Sequence, residues 1–349
     1  MAVTLDYISN NLAVEQIKVP QQVSVVDQTV RYTPEVLREL YKRENKIFVL
    51  DFHVLFSKQD ISSGNVKHLL GPDGEILGLV DDSSFPAIIN IDHHSQHPSF
   101  ASNISTTHQA LIFSKCMPHL LDQFSPILVN HVDTDSVLSV LALTNPELPP
   151  LLQIAFAHAA IAADHTGEFN EIVVLMDSLY KMRDIHLSMN TLIKFLKSGF
   201  MPDWITEKYE IEIQRLKLSD EIVRQRQFVD LGEGVILINR SDGDRLQTAP
   251  FPELFKKYGI PCSMVIIANP MYGKFAFNVR SCRDFPIGHT LQEASSTLNL
   301  QRFGYGGRAN AGGNDRMLGD AEFILPNDFG SLFVEYFEKL RSDATKTDF

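Results

Sequence analysis

The chain has 349 residues, of which 44% are hydrophobic and 21% are charged, and its formal net charge is −12. This balance excludes a mainly disordered chain and is typical of a globular protein with enough residues for two domains. The surplus of carboxylates excludes a surface that coats long polyanions, because neutralising phosphates requires clustered Lys and Arg side chains. We therefore expect no long duplex nucleic acid as a partner, whereas a small phosphorylated ligand in a local site is compatible with this charge.

The cysteines and the N-terminus bear on the compartment. The three cysteines lie far apart in the sequence and lack the spacing of a zinc knuckle or a disulfide framework, which favours a reducing environment. The first residues show neither the basic nor the apolar region of a signal peptide, and no apolar run approaches the ~20 residues of a membrane-spanning helix. We therefore expect a cytoplasmic protein that does not contact a membrane.

The first two thirds of the chain show an α/β pattern. A helix is predicted after Thr33, which is suited to the N-cap, with Pro34 in the first helical position. Three short apolar runs are typical of buried strands, at 47–50, 86–91 and 127–129, and a mostly apolar helix is predicted over 151–163. Such alternation of short strands with longer helices predicts a doubly wound, mainly parallel sheet.

The pattern changes near residue 231, where a second, smaller α/β domain is predicted. Its strand-like runs are 235–238, 264–267 and 274–279, with turn residues at Asn269-Pro270 and Tyr272-Gly273. A polar helical stretch precedes it. The predicted organisation is a first domain at 1–200, a connecting helix at 201–230 and the second domain at 231–349.

Polar side chains follow each of the three predicted strands of the first domain. They are Asp51 after the first strand, Asp92, His93 and His94 after the second, and His131, Asp133 and Asp135 after the third. In open α/β sheets the ligand lies at the carboxyl ends of the strands, so we expect these groups to converge on one crevice. Asp164, at the end of the apolar helix, is a further candidate for the same place.

Each of these residues also has an ordinary structural interpretation. A lone Asp after a strand is more often a turn former or a helix cap, and Asp135 could cap a helix that begins at Ser136. Several carboxylates in one crevice, however, repel one another unless cations neutralise them. Oxygen ligands with a few imidazoles favour Mn²⁺, with Mg²⁺ as the alternative, over zinc. Two such ions would activate water for hydrolysis at phosphorus.

These motifs resemble a known family. The segments 91–94, 133–136 and 163–169 are similar to three of the four motifs of the DHH phosphoesterases, and Asp51 supplies the fourth, a single aspartate. Residues 277–281 and the glycine-rich segment 306–313 resemble the DHHA1 domain that accompanies them. The resemblance extends from about residue 46 to 313. Within the family, the chain resembles members of the nanoRNase or 3′-phosphoadenosine 5′-phosphate phosphatase type.

The chain departs from the pattern of this family in three ways. The Asp-x-Asp motif follows the Asp-His-His motif instead of preceding it, as if one strand had been permuted. The family histidine expected four residues before Asp133 would fall at Val129, whereas His131 lies two residues before it. The histidine of the glycine-rich loop is replaced by Arg308, which keeps a phosphate-binding donor but loses a titratable group.

The resemblance assigns roles to individual residues. The implied metal ligands are Asp51, which bridges two ions, and Asp133, Asp135, His93 and Asp164, with His131 as a further candidate. His94 would contact the scissile phosphate or leaving oxygen, and Asp92 would orient an imidazole. The implied substrate-binding residues are Arg280, Ser281, Gly306, Gly307 and Arg308, at which backbone N–H groups can approach a phosphate closely.

The sequence thus predicts a Mn²⁺-dependent phosphodiesterase or phosphatase that uses two ions. The resemblance implies small nucleotides as substrates: short oligonucleotides, cyclic dinucleotides or 3′-phosphoadenosine 5′-phosphate. The alternative hypothesis is a catalytically silent protein of this type that binds nucleotides as a regulator or scaffold. A dehydrogenase or a kinase is disfavoured, because neither a G-x-G-x-x-G turn nor a G-x-x-x-x-G-K-[ST] loop is present. A homodimer is compatible with the resemblance.

Overall fold

The computed structural model describes residues 14–28, 30–93, 104–121, 125–199, 201–240, 246–271, 274–281, 306–308, 311–313 and 325–346. The chain divides into two compact units. The first comprises Met1–Asp164 and Phe169–Glu212, and the second comprises His165–Glu168 and Ile213–Phe349. In the described part of the chain, no helix combines the length and the apolar character that crossing a membrane requires.

The first unit contains a six-stranded sheet and helices that precede, separate or follow its strands in the sequence. Its strands are β1 (Val23–Val25), β2 (Lys46–Leu50), β3 (Val66–Leu70), β4 (Ile76–Asp81), β5 (Ala87–Ile91) and β6 (Ile127–Val129). Its helices are α1 (Pro34–Leu40), α2 (Lys58–Ser63), α3 (Thr106–Cys116), α4 (Thr134–Thr144), α5 (Pro150–Ile161), α6 (Glu171–Leu179) and α7 (Ile185–Ser198). The long helix α8 (Asp203–Arg224) begins in the first unit and ends in the second.

The strand order explains where the polar residues meet. The order in the sheet is β1-β6-β2-β5-β4-β3, and the first four of these strands run parallel to one another. The three strands that the polar motifs follow are therefore direct neighbours, although β6 is far from β2 and β5 in the chain. Because parallel strands end at the same edge, the groups that follow them lie together there.

Both faces of the central strands of this sheet, β6, β2 and β5, are buried. In β2, Phe48 and Leu50 pack into the core formed with helices α3 to α7, whereas Ile47 and Val49 pack on the opposite face with Leu37 of α1. A strand that is covered on both sides needs apolar residues at every buried position, which is why β2 is a continuous apolar run from Ile47 to Leu50. The predicted α/β class, with a mainly parallel, doubly covered sheet and a second smaller domain, is confirmed.

The predicted start of α1 is also confirmed. Thr33 is its N-cap, with its side chain accepting a hydrogen bond from the Val36 N–H at 3.4 Å, and Pro34 is the first helical residue. Proline is tolerated there because the first helical N–H groups have no partner within the helix.

The second unit contains a second six-stranded sheet, most of whose strand pairs are antiparallel. Its order is β11-β12-β10-β9-β8-β7, and its strands are β7 (Val229–Asp230), β8 (Val235–Asn239), β9 (Met264–Met271), β10 (Lys274–Ser281), β11 (Gly306–Arg308) and β12 (Ala311–Gly313). Its helices, besides the end of α8, are α9 (Phe251–Lys257) and α10 (Pro326–Lys346). One face of the sheet packs on Phe329 and Phe333 of α10, and the other packs on α8 and α9.

One predicted turn is wrong. Asn269 and Pro270 lie within strand β9, where they pair with Ala276 and Phe275 of β10. Asn269 is fully buried, and its side-chain amide exchanges two hydrogen bonds with the backbone of Leu246. Pro270 lies beyond the last residue of β9 that pairs with β8, so its missing N–H interrupts no bond to that strand. The other predicted turn, at 272–273, lies outside the described residues.

Candidate metal centre

Four of the residues singled out in the sequence come together in the first unit. Asp51, His93, Asp135 and Asp164 each direct one ligand atom into a group whose members all lie within 4.8 Å of one another. The side chains of Asp51, His93 and Asp135 are at most 3% exposed, and that of Asp164 is 15% exposed. Three carboxylates and one imidazole therefore share a small, nearly water-free space.

Asp51 owes its position to an unusual backbone conformation. It follows β2 directly and has a φ of +60°, in the left-handed region that residues other than glycine rarely adopt. Its N–H donates to the carbonyl of Ile91, at the end of β5. Its side chain accepts hydrogen bonds from the hydroxyls of Ser136, at 2.7 Å, and Thr106, at 3.1 Å. Strained residues of this kind are frequent at functional sites.

Asn90 holds the turn that follows Asp51. It is a buried polar residue within β5, and its Oδ1 accepts a hydrogen bond from the N–H of Val54 at 3.1 Å. Its Nδ2 donates to the carbonyls of Val49 and Phe52, at 3.3 and 2.9 Å. These three bonds satisfy backbone groups of residues on both sides of Asp51, and they fix the path of the chain there.

His93 is oriented by the backbone. Its Nδ1 lies 3.2 Å from the carbonyl oxygen of Ile104, and a carbonyl can only accept, so Nδ1 carries the proton of the neutral ring. The lone pair is then on Nε2. This atom lies 3.6 Å from Asp51, 3.8 Å from Asp135 and 3.5 Å from Asp164. An imidazole with its distal nitrogen held by a carbonyl and its other nitrogen among carboxylates is the usual arrangement of a metal-binding histidine.

Asp135 lies in the first turn of α4 and is held by the start of α3. The N–H groups of Thr106 and Thr107 donate to its two oxygens, both at 2.8 Å, and the hydroxyl of Thr107 donates to Oδ1 at 2.6 Å. The interpretation of Asp135 as a helix cap is wrong. The cap of α4 is Asp133, whose carboxylate accepts a hydrogen bond from the N–H of Ser136 at 3.0 Å.

Asp164 is carried by a short π-helix, Ala162–Thr166, that continues α5. The wider turn of a π-helix displaces side chains from the positions that an uninterrupted α-helix would give them, and such segments are frequent at functional sites. The apolar helix predicted over 151–163 therefore exists as α5, but its end has a different geometry. This geometry brings Asp164 to within 3.5 Å of His93.

The electrostatics of the centre favour a cation. Burial is the largest cause that raises the pKa of Asp51 well above its ordinary value, and the charges of Asp135, Asp133 and Asp164 add to it. Burial, followed by the charge of Asp164, also raises the pKa of Asp135 to about 7. Ionised carboxylates are costly in such surroundings unless a positive charge is present. A divalent ion supplies that charge, and the donor set of three oxygens and one nitrogen fits a hard or borderline ion.

Two other predicted ligands lie outside this group of four. Asp133 caps α4, and its charge acts on both Asp51 and Asp135. His131 is half-buried, and its Nδ1 lies 2.6 Å from the side-chain oxygen of Asn130. Their roles as metal ligands stay predictions.

Asp92 lies close to an imidazole other than that of His93. Its side chain is 2% exposed, and its Oδ2 lies 3.8 Å from Nδ1 of His53, whose side chain is 32% exposed. Sequence reasoning did not single out His53, although its spacing from Asp51, as Asp-x-His after a strand, is a usable signal. His94, the predicted contact of the scissile phosphate, lies outside the described residues.

The predicted substrate-binding residues share one end of the second sheet. Arg280 pairs with Ala311 of β12, which in turn pairs with Arg308 of β11, so that the three backbones form one row. Gly306 and Gly307 precede Arg308 in β11. The side chain of Arg280 is buried, and its Nε donates to the hydroxyl of Thr248 at 3.4 Å. Ser281 ends β10 and is half-buried.

Sequence reasoning missed the residues that hold the carboxylates. Thr106, Thr107, Ser136 and Asn90 have no acidic or imidazole group, and so they were not candidates for the centre. Ser105 is the N-cap of α3, and Thr106 is the first residue of this helix. The usable signal was a run of hydroxyl residues at a helix start, where free N–H groups can bind a carboxylate from elsewhere in the fold.

Comparison with known proteins finds similarity only among solved structures. The chain matches no protein-family model and no curated protein sequence. It is similar to a pGpG-specific phosphodiesterase from Vibrio cholerae, with 12% identity over 86% of this chain and 100% of that chain, and a TM-score of 0.41.

Two further structures show the same kind of similarity. RecJ from Thermus thermophilus, in complex with Mg²⁺, has 13% identity over 68% of this chain and 34% of its own, with a TM-score of 0.32. An exopolyphosphatase-related protein from Bacteroides fragilis has 13% identity over 86% and 76%, with a TM-score of 0.31. All three share 12–13% identity with this chain, and its resemblance to the DHH phosphoesterases, which rests on the sequence motifs, stays a prediction.

Proposed function

We propose that this protein is a metal-dependent phosphoesterase that hydrolyses small nucleotides. The observation that carries the proposal is the convergence of Asp51, His93, Asp135 and Asp164 within 4.8 Å, at the carboxyl ends of neighbouring strands and the end of a helix. Two buried carboxylates, a third that is partly exposed, and an imidazole with its lone pair among them form a donor set for a divalent cation.

The residues of the centre would hold the ion and keep it partly shielded from water. Oxygens of Asp51, Asp135 and Asp164 and Nε2 of His93 are the ligands that this proposal assigns. A divalent cation bound there would stabilise negative charge at a phosphoryl group and acidify a water molecule. The imidazole among the oxygens supports Mn²⁺ over Mg²⁺. A second ion would take Asp133, share Asp51 and use His131 as a further donor.

The remaining roles concern the substrate. His94 would contact the scissile phosphate and assist the leaving oxygen, with Asp92 orienting an imidazole. Arg280, Ser281 and the strand Gly306–Arg308 would bind the other phosphates or a base of the nucleotide. The pairing of β10 with β12 and of β12 with β11 supports this assignment, because it brings the Arg280 strand and the glycine-rich strands into one sheet.

The first test is product formation from a matched panel of substrates. The panel contains an RNA dinucleotide, a longer oligonucleotide, a cyclic dinucleotide, 3′-phosphoadenosine 5′-phosphate and pyrophosphate, each with Mn²⁺ and with a chelator. We expect Mn²⁺-dependent turnover of one small nucleotide. Asp135→Asn should lower it by at least about 100-fold, because the loss of residues that only support a metal ligand already costs about 10–100-fold. Glu147→Gln, which changes an exposed acid of the same unit, is the matched control.

The outcome separates this function from its alternative. Full Mn²⁺-dependent hydrolysis by Asp135→Asn would refute the assignment of the centre. Tight nucleotide binding by the unaltered protein without turnover at any Mn²⁺ concentration would instead favour the silent nucleotide-binding regulator. One observation motivates keeping that alternative: among the described residues, Asp133 and His131 are not part of the group of four.

A further inference from the structure

The start of helix α3 holds two of the carboxylates of the metal centre. Thr106 donates its N–H to Oδ2 of Asp135 at 2.8 Å and its hydroxyl to Oδ1 of Asp51 at 3.1 Å. Thr107 donates both its N–H, at 2.8 Å, and its hydroxyl, at 2.6 Å, to Oδ1 of Asp135. Both threonines are fully buried, so these bonds do not compete with water.

The bonds leave Asp135 with little free acceptor capacity. A carboxylate offers about four acceptor positions, two on each oxygen. The two bonds from Thr107 occupy Oδ1, and the bond from Thr106 occupies one position on Oδ2. The remaining position is on Oδ2, the oxygen that lies 3.8 Å from Nε2 of His93 and so belongs to the group of four.

We propose that Thr106 and Thr107 are positioning residues of the metal centre, and that Thr107 makes Asp135 a ligand through Oδ2 alone. The inference rests on the proposed function only in assigning a divalent cation to the centre.

The role of Thr107 has a consequence for the selectivity of the centre between metal ions. Mn²⁺ and Mg²⁺ accept six ligands with single carboxylate oxygens, whereas Ca²⁺ takes six to eight oxygens and often both oxygens of a carboxylate. The Thr107 hydroxyl therefore discriminates against Ca²⁺.

Four variants test this role. Thr107→Val removes the hydroxyl at nearly constant volume and frees one of the two acceptor positions on Oδ1 of Asp135, because the backbone N–H of residue 107 still donates to that oxygen. Thr107→Ser keeps the hydroxyl and removes only the methyl group. Thr106→Val removes one of the hydrogen bonds to Asp51, which keeps the bond from Ser136, and it leaves Oδ1 of Asp135 occupied. Thr191→Val, a similarly buried threonine of α7, is the matched control. Mn²⁺ and Ca²⁺ affinities are measured by calorimetric titration of the full-length protein, with free Mn²⁺ followed by electron paramagnetic resonance.

The variants have different expected results. Thr107→Val lowers Mn²⁺ affinity by about 10–100-fold, the usual cost of losing a residue that orients a metal ligand, and raises the ratio of Ca²⁺ to Mn²⁺ affinity. Thr107→Ser restores both quantities to those of the unaltered protein. Thr106→Val lowers Mn²⁺ affinity without raising the ratio, because Asp135 keeps a single free position.

An unchanged ratio of Ca²⁺ to Mn²⁺ affinity in Thr107→Val would overturn the inference. A loss of Mn²⁺ affinity in Thr191→Val equal to that in Thr107→Val would also overturn it, because it would show a general effect of destabilisation. A thermal unfolding curve of each metal-free variant checks that the fold is kept. The two proposals fail separately: absence of hydrolysis overturns the function, whereas the affinities alone decide the role of the threonines. An unaltered protein that binds neither ion overturns both.

Discussion

At the scale of single residues, burial of Asp135 and Asp51 carries an energetic cost in the metal-free protein, because it disfavours their ionised forms. Each is buried among other acids, and the groups that face them are Asp133, Asp164 and His93. Burial is the main cause of their raised pKa values, and the hydrogen bonds from Thr107 and Ser136 offset only part of it. The centre is thus an arrangement that costs stability until a cation is bound, which is typical of functional sites.

This cost predicts how the stability of the protein depends on pH. The pKa of Asp135 is about 7 in the folded metal-free protein and about 4 in the unfolded chain, so between these values the folded state binds more protons. The free energy of unfolding should therefore decrease as the pH rises from 5 to 7. Mn²⁺ affinity should increase over the same interval, because the ion replaces the proton.

Urea unfolding at several pH values, with chelator and with saturating Mn²⁺, measures both effects. The decrease should be smaller with Mn²⁺, and it should be smaller in Asp135→Asn with chelator, because an amide does not titrate. Equal slopes in the two proteins with chelator would show that Asp135 is not the group responsible.

At the scale of elements, the backbone conformation of the connection that follows Asp164 requires a glycine at position 167. Gly167 has a φ of +64°, and a Cβ at this position would overlap the carbonyl of Ala249 and the Cα of Pro250 within the second unit. Both the left-handed conformation and the close approach require the absence of a side chain. The segment His165–Glu168 is therefore attached to the turn before α9, immediately after Asp164 of the candidate metal centre.

We expect Gly167→Ala to lower the free energy of unfolding by at least about 2 kcal/mol, because it adds a steric overlap to the ~1–2 kcal/mol cost of a left-handed residue with a Cβ. Gly259→Ala is the matched control, since Gly259 has the same φ of +64° but nothing within 4 Å of its Cβ position. This control should cost only about 1 kcal/mol. Equal losses in urea unfolding would show that the packing against Ala249 contributes nothing.

At the scale of the whole molecule, all four residues of the candidate metal centre belong to the first of the two units. An ion that binds only the folded state stabilises the part of the protein whose unfolding destroys its site. Hydrogen exchange with and without Mn²⁺ should therefore show slower exchange in β2, α3 and α4, and unchanged exchange in β8 and β9. Asp135→Asn should abolish the difference. Equal slowing in β8 and β9 would show that the two units unfold together.

The sequence by itself determined the α/β class, the three strands that precede the polar motifs, and the identity of Asp51, His93, Asp135 and Asp164 as candidates for one site. These properties depend on local patterns: continuous apolar runs for strands covered on both faces, and charged residues directly after them. The predictions for Asp133, His131 and the substrate-binding residues come from the same motifs, and they stay predictions.

The tertiary structure alone decided how the permuted motifs meet. Strand β6 lies beside β2, although 76 residues separate Leu50 from Ile127, the end of one and the start of the other, and no local pattern specifies this order. It also decided that Asp133 rather than Asp135 caps α4, and that Thr106, Thr107 and Asn90 hold the centre. Hydrogen bonds between residues far apart in the chain depend on packing, and single residues do not reveal their partners.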